Sequence, residues 1–316
     1  MLFLTEDDVD GLLTMGEALR VVEAALRDLG DGRAENRPRQ RVRGSHAVLN
    51  VMPASWPVRG YYGFKDYSAS KEGIRFWCHL CDGNTSAPLA VLQADRLGQR
   101  RTGAASGIAT KFLARTDAAV AGLVGTGWQA ESQLEAICAV RPIETVQCIS
   151  RHRGRREDFA ERMSKSLEID VVPMDSAQEA LRGADIIITA TDSSTPVVRG
   201  PWVEPGVHVN AIGANRIDAR ELDDDAMRRA TFVMTDSIEQ ARHEAGDLVQ
   251  PIRDGVLTWE QVHELSQLVA GKVSGRQRPD DVTLFKSLGI AIEDVAVAAF
   301  VYERAKKEGI GQEITL

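Results

Sequence analysis

The 316-residue chain has no apolar run approaching the roughly 20 residues that span a bilayer. Its opening, Met1-Leu2-Phe3-Leu4-Thr5-Glu6-Asp7-Asp8, lacks the basic start and apolar stretch of a secretion signal, so a cytoplasmic protein with no membrane partner is expected. Cysteine is scarce: four residues, at 78, 81, 138 and 148, are too few for a disulfide framework at this length, and free thiols are expected. Positive charge is outnumbered, 38 Lys and Arg against 46 Asp and Glu, and the net charge of -8 argues against nucleic acid as the main partner. With only 11 prolines and 43% hydrophobic residues, the composition excludes a disordered or fibrous chain.

What is there is enough apolar material for two domains. Thr5 and Thr14 are placed as helix caps, the second ahead of Met15, Ala18, Leu19, Val22, Ala25, Leu26 and Leu29 at helical spacing, with Gly30 as the stop. Between 36 and 100 the texture is sheet and turn, with short apolar stretches at Ala47 to Met52, Tyr61 to Lys65, Ile74 to Leu80 and Leu89 to Gln93. Small helix formers return at 101 to 115. From Ala118 the grammar is strand then helix, repeated, which predicts a parallel sheet covered on both faces. A last helical run from Leu288 to Lys307 is expected to pack back on the first domain and make it discontinuous.

Chemistry concentrates at the turn after the strand Val120 to Val124. In Gly125-Thr126-Gly127-Trp128-Gln129-Ala130 the glycines let backbone approach phosphates, and the helix that follows offers unpaired N–H groups. A dinucleotide site is expected there, an ordinary tight turn being the alternative. The strand Thr145 to Ile149 ends in Ser150-Arg151-His152-Arg153-Gly154-Arg155-Arg156, with no carboxylate for a ribose hydroxyl. A hydroxyl and several cations suit a 2′-phosphate, so NADPH is favoured and NADH possible, unless the run is simply a solvated helix start. Cys78 and Cys81 fall on a predicted strand, where residues three apart face opposite ways, so no metal site is expected. His243-Glu244 lacks the second histidine of a zinc helix, and Asp223-Asp224-Asp225 reads as a helix start.

Several segments together resemble the ornithine cyclodeaminase and mu-crystallin family over nearly the whole chain. They are Arg37-Pro38-Arg39, Val51-Met52-Pro53-Ala54, Gly63-Phe64-Lys65, Arg101-Thr102-Gly103-Ala104-Ala105-Ser106, Gly125-Thr126-Gly127, Ile212-Gly213-Ala214-Asn215, Arg220-Glu221-Leu222-Asp223 and Asp281 through Gly289. The resemblance implies an α/β protein, with a Rossmann doubly wound parallel sheet over 116–290. A smaller α+β domain, 1–115 with 291–316, would bind substrate and dimerise the chain. It implies that Arg39, Lys65 and Arg101, with Thr102, hold an amino or imino acid carboxylate, cations that a small anion needs on any reading. The implied cofactor contacts are Gly125, Thr126, Gly127, Trp128 and Gln129 at the pyrophosphate, Ser150, Arg151 and His152 at the ribose, Thr191, and Ser287, Leu288 and Gly289 near the nicotinamide.

Two departures bear on activity. True cyclodeaminases carry an aspartate where Asn215 stands and a glutamate where Asn50 stands, and an amide cannot take a proton as a carboxylate does. The expectation is therefore a homodimeric NAD(P)H-dependent reductase of a 2-imino acid C=N bond, with Lys65, Arg101 and Asn215 as catalytic residues. The alternatives are an ammonia lyase in which another carboxylate, such as Asp218 or Asp66, replaces the missing one, and a binding protein without turnover. Arg37, Arg41 and Arg43 leave a dicarboxylic substrate open, beside the alternative of a solvated basic strand.

Overall fold

After a short strand, β1 (Leu2–Leu4), two threonines start the first helices, α1 (Glu6–Leu12) and α2 (Met15–Gly30). Each is a capping box, in which the Thr5 or Thr14 hydroxyl accepts the N–H three residues on, while Asp8 or Glu17 accepts the cap's own N–H. The computed structural model describes residues 1–315. Helix α2 ends at Gly30, the expected stop, with Asp31 as its C-cap and Gly32 beyond it at φ +74°.

Five more strands follow the pair at Glu35–Asn36 (β2): β3 (Gln40–Arg43), β4 (Ala47–Trp56), β5 (Tyr61–Ser70), β6 (Gly73–Asp82) and β7 (Pro88–Gln93). Helix α3 (Asp95–Leu113) carries the chain onward to β8 (Val120–Val124), α4 (Trp128–Val140), β9 (Thr145–Ile149), α5 (Arg153–Leu167), β10 (Asp170–Pro173), α6 (Ala177–Leu181), β11 (Ile186–Thr189) and β12 (His208–Ala211). Then come α7 (Asp224–Arg229), β13 (Phe232–Thr235), α8 (Ile238–Glu244), α9 (Gly246–Arg253), β14 (Val262–Glu264), α10 (Leu265–Val269) and β15 (Thr283–Lys286), and finally α11 (Ala291–Glu308) and β16 (Gln312–Glu313). Among the described residues no helix is long and apolar enough to cross a membrane.

The chain divides into two compact units, Met1–Ala105 with the segment from Gly289 onward, and Ser106–Leu288. In the first unit the strand order is β16-β1-β7-β6-β5-β4-β2, with β3 also on β4, and every pairing but β1 with β7 is antiparallel. Helix α11 packs on this sheet and on α2, and its first nine residues, Ala291 to Ala299, are all buried. That run includes Glu293 and Asp294, two acids at zero exposure, which demand partners.

The second unit is a doubly wound α/β sheet of order β10-β9-β8-β11-β12-β15-β13-β14, parallel throughout. Alternate residues of β11 feed opposite faces: Ile187 joins the cluster with Val209 and Leu284, while Ile186 and Ile188 join the one with Leu123 and Val146. The chain moves outward from β8 to β9 and β10, then returns to place β11 on the other side of β8. That reversal is a topological switch point, where the carboxyl ends of two neighbouring strands diverge and leave a crevice. Beyond it the sheet differs from the simple expectation: β15, from a segment with no assigned strand, inserts between β12 and β13.

Candidate functional site

In the first unit three cations predicted as a carboxylate pocket share one neighbourhood. Lys65, on β5, lies opposite Met52 of β4, and its Nζ is 3.0 Å from Asp294 Oδ1. Arg101, in the second turn of α3, donates through Nε to the same oxygen at 2.9 Å and through Nη1 to Glu293 Oε2 at 3.1 Å. Arg39 reaches the Met52 sulfur at 3.4 Å and the Gly289 carbonyl at 3.4 Å. Gly289 in turn has its open face on Arg101, since a Cβ there would lie 2.1 Å from Nη1. Thr102 is in place beside them, but its hydroxyl donates to the Gly98 carbonyl at 2.8 Å, so it can offer a ligand only a lone pair.

All three cations are buried, with Lys65 only 2% exposed. Lys65 and Arg101 share the Asp294 carboxylate, and Arg101 also holds Glu293. Burial pushes the Lys65 ammonium below the usual lysine range; Asp294 opposes the shift and Arg101 adds to it. Asp294 Oδ2, equally buried, has no hydrogen-bond donor among the described residues. The carboxylates were not anticipated as site residues. In sequence they are two adjacent acids in an alanine and valine helix, and only the distant cations explain their burial.

In the second unit the glycine turn sits at the switch point. Gly125 has φ +102°, and a Cβ on it would lie 2.3 Å from the Ala190 carbonyl oxygen after β11, so conformation and space both demand glycine. Gly127 is the N-cap of α4, no side chain caps the helix, and a Cβ there would meet nothing within 4 Å. An open helix start of 13 residues fits a pyrophosphate. Thr126 Oγ1 donates to Ser150 Oγ at 2.8 Å, which ties the turn to the end of β9. Arg151 and His152 follow, exposed; Arg151 Nη2 donates to Asp192 Oδ1 at 2.7 Å, both side chains more than three-quarters exposed. Thr191 comes after β11. Ser287 and Leu288 follow β15 and both donate to Asp236 Oδ2, Ser287 Oγ at 3.3 Å. Among the described residues no three His, Cys, Asp or Glu side chains group to hold a metal.

The profile of the ornithine cyclodeaminase/mu-crystallin family matches residues 1–309. The chain belongs to that family. It is 36% identical over 322 residues to alanine dehydrogenase of Archaeoglobus fulgidus, covering 99% of this chain and 98% of that protein. It is 34% identical over 328 residues to Δ1-pyrroline-2-carboxylate reductase of Bacillus cereus, at 99% coverage of each. Among solved structures, that of Thermococcus litoralis Δ1-pyrroline-2-carboxylate reductase in complex with NADH and L-proline superimposes with a TM-score of 0.95 at 37% identity, over 99% of this chain and all of that one.

For a member of the ornithine cyclodeaminase/mu-crystallin family, the two amide positions are informative. Asn50, 4% exposed on β4, aims Nδ2 at the carbonyls of Val48 and Tyr67, both at 3.4 Å. Both partners are acceptors, so a carboxylate at 50 would face two like oxygens. Asn215 lies four residues beyond β12, exposed on the segment after Ala214. The carboxylates considered as replacements are engaged elsewhere: Asp66 pairs with His79 at 3.0 Å, and Asp218 is exposed beside Arg216.

Proposed function

We propose that the protein uses a reduced nicotinamide nucleotide to convert the C=N bond of a small 2-imino acid to an amine, with Δ1-pyrroline-2-carboxylate the first substrate to test. The observation that carries this reading is the burial of three cations, Arg39, Lys65 and Arg101, in one neighbourhood of the first unit. Cations are costly to keep out of water, and guanidinium and ammonium groups held together there suit a small carboxylate. The relatives support the reaction class: they include an alanine dehydrogenase and a Δ1-pyrroline-2-carboxylate reductase, and a structure of the latter enzyme from Thermococcus litoralis holds NADH and L-proline.

In this reading Arg39 and Arg101 bind the substrate carboxylate, a role suited to guanidinium forks. Lys65 delivers a proton to the nitrogen as the carbon is reduced; an ammonium weakened by burial gives its proton up readily. Asn215 hydrogen-bonds the substrate nitrogen without taking a proton. The bound cofactor supplies the hydride. Gly125 to Gln129 cradle its pyrophosphate, Ser150, Arg151 and His152 surround the adenosine ribose, and Thr191 with Ser287, Leu288 and Gly289 line the nicotinamide side. NADPH is the preferred form because β9 ends without a carboxylate, although Arg151 must leave Asp192 to grip a 2′-phosphate. The working assembly is a homodimer, in line with a 35% identical archaeal alanine dehydrogenase structure described as a dimer.

The test follows loss of reduced-nicotinamide absorbance with both cofactors against Δ1-pyrroline-2-carboxylate, its six-membered homologue, and 2-oxo acids supplied with ammonia or methylamine. Stoichiometric oxidation is expected, with kcat/KM lost on Lys65→Ala and Arg101→Ala while cofactor binding persists. Proline and ammonia from ornithine with no net cofactor change would establish the lyase instead; tight cofactor binding without turnover on any imine would establish a binding protein.

A further inference from the structure

One carboxylate without any role in the reading above organises the carboxyl ends of β11 and β12. Glu221, fully buried, accepts five hydrogen bonds: from Thr189 Oγ1 (2.9 Å), the Thr191 N–H (2.9 Å), Thr191 Oγ1 (2.7 Å), the Gly213 N–H (2.7 Å) and the Ala214 N–H (3.2 Å). The backbone closes tightly around it. A Cβ on Gly213 would lie 2.1 Å from the Thr191 carbonyl oxygen and 2.6 Å from Glu221 Oε1.

Glu221 is itself anchored. Its N–H and that of Leu222 donate to Asp247 Oδ1 at 2.7 and 3.0 Å. Asp247 Oδ2 is 3.1 Å from Lys286 Nζ, both side chains at zero exposure; the alignment is too poor for a hydrogen bond, so the attraction is between charges. Lys286 ends β15 and precedes Ser287. A buried run of charged groups therefore joins the ends of β11, β12 and β15, the three strands that lead into Thr191, Asn215 and Ser287.

The arrangement also fixes what Thr191 can present. Its single hydroxyl hydrogen is committed to Glu221, and its methyl faces the glycine turn, 3.0 Å from where a Cβ on Gly125 would stand. We infer that Glu221 is a positioning residue for hydride transfer: by holding Thr191 and the Gly213-Ala214 segment that leads into Asn215, it sets the seat of the nicotinamide ring. The inference rests on the proposed placement of Thr191 and Asn215 beside the cofactor and substrate.

Glu221→Gln tests it directly, because every group around Glu221 is a donor and the new amide nitrogen must face one of them whichever way it is turned. The expected result is a rise of about tenfold in the Kd of the reduced cofactor, read by fluorescence titration without substrate, and a matching rise in its KM with Δ1-pyrroline-2-carboxylate; an unchanged Kd would overturn the inference whether or not that imine is turned over. The primary isotope effect with cofactor deuterated at the transferred position should also increase. A purely structural role would lower only the active fraction; wild-type KM and isotope effect per folded molecule would overturn the inference. Thr191→Val removes one donor without changing shape and should shift both quantities the same way by a few-fold. If Glu221→Gln does not fold, wild-type values in Thr191→Val overturn the inference alone.

Discussion

A single methyl group placed at Gly98 should inactivate the protein without unfolding it. Gly98 lies in the first turns of α3, and a Cβ built on it would stand 2.6 Å from Lys65 Nζ, against about 3.4 Å for ordinary contact. The obstructed atom is the end of a flexible side chain, so the ammonium moves by about 0.8 Å and no charge is altered. If the shift lengthens the 3.0 Å pairing with Asp294 to roughly 3.8 Å, the attraction weakens by about 1 kcal/mol at an effective dielectric constant near 20. Alanine in place of glycine inside a helix returns about 1 kcal/mol, so the melting temperature of Gly98→Ala should stay within a few degrees of wild type. Catalysis has no such offset. A proton donor displaced by nearly 1 Å is expected to lose ten- to a hundredfold in kcat/KM. Gly16→Ala, in α2 with nothing within 4 Å of the new methyl, supplies the control: equal or better stability and unchanged turnover. Wild-type kcat/KM in Gly98→Ala would refute the assignment of Lys65 to the reacting site.

Three further outcomes follow from the same geometry. If Lys65 works as an ammonium, kcat/KM is sustained below its lowered pKa and declines as pH rises through it; a profile still flat near the ordinary value of about 10.4 would contradict the role. Arg151→Asp should weaken NADPH relative to NADH by roughly 10- to 150-fold, the worth of one charge-assisted hydrogen bond, and Asp192→Asn should improve NADPH by up to about fivefold; equal effects on both cofactors in titrations would remove the 2′-phosphate argument. Burial, with help from Arg276, holds His208 down to about 3, while the unfolded histidine takes its proton near 6.5. The unfolded chain therefore binds the extra proton between those values, and stability present above pH 6.5 should fall by about 3 kcal/mol on acidification to pH 4.5. Urea titrations of His208→Gln should show a flatter slope across that window, and an unchanged slope would place the acid sensitivity elsewhere.

Local rules made much of the fold legible. The cap threonines, the apolar run at Val120 to Val124 and the strand Thr145 to Ile149 all carry signals within a few residues, and the structure has those elements with the expected limits or nearly so. The stretch from 236 to 290 did not yield. Strand β15 ends in a lysine and runs into Ser287 and Gly289, a composition that reads as a turn; it is sheet because it pairs with the distant strands β12 and β13, and Asp247, 39 residues earlier, meets Lys286 in the interior. The same holds for Glu293 and Asp294, whose partners Lys65 and Arg101 are some 190 to 230 residues away. The cations of the candidate site could be proposed from sequence, since a family pattern names positions. Its counter-charges could not, because nothing local distinguishes a buried acid from a solvated one.

The late insertion of β15 has a consequence for how the chain is made. A ribosome delivers β12 and β13 long before the strand that separates them, so each waits with an unpaired edge until residues 283–286 emerge. Helix α11, the buried face of the first unit, follows only a few residues later. Both units are thus incomplete until residues 283 to 308 are synthesised, and a chain stopped before them would carry an unpaired sheet edge and an uncovered apolar face.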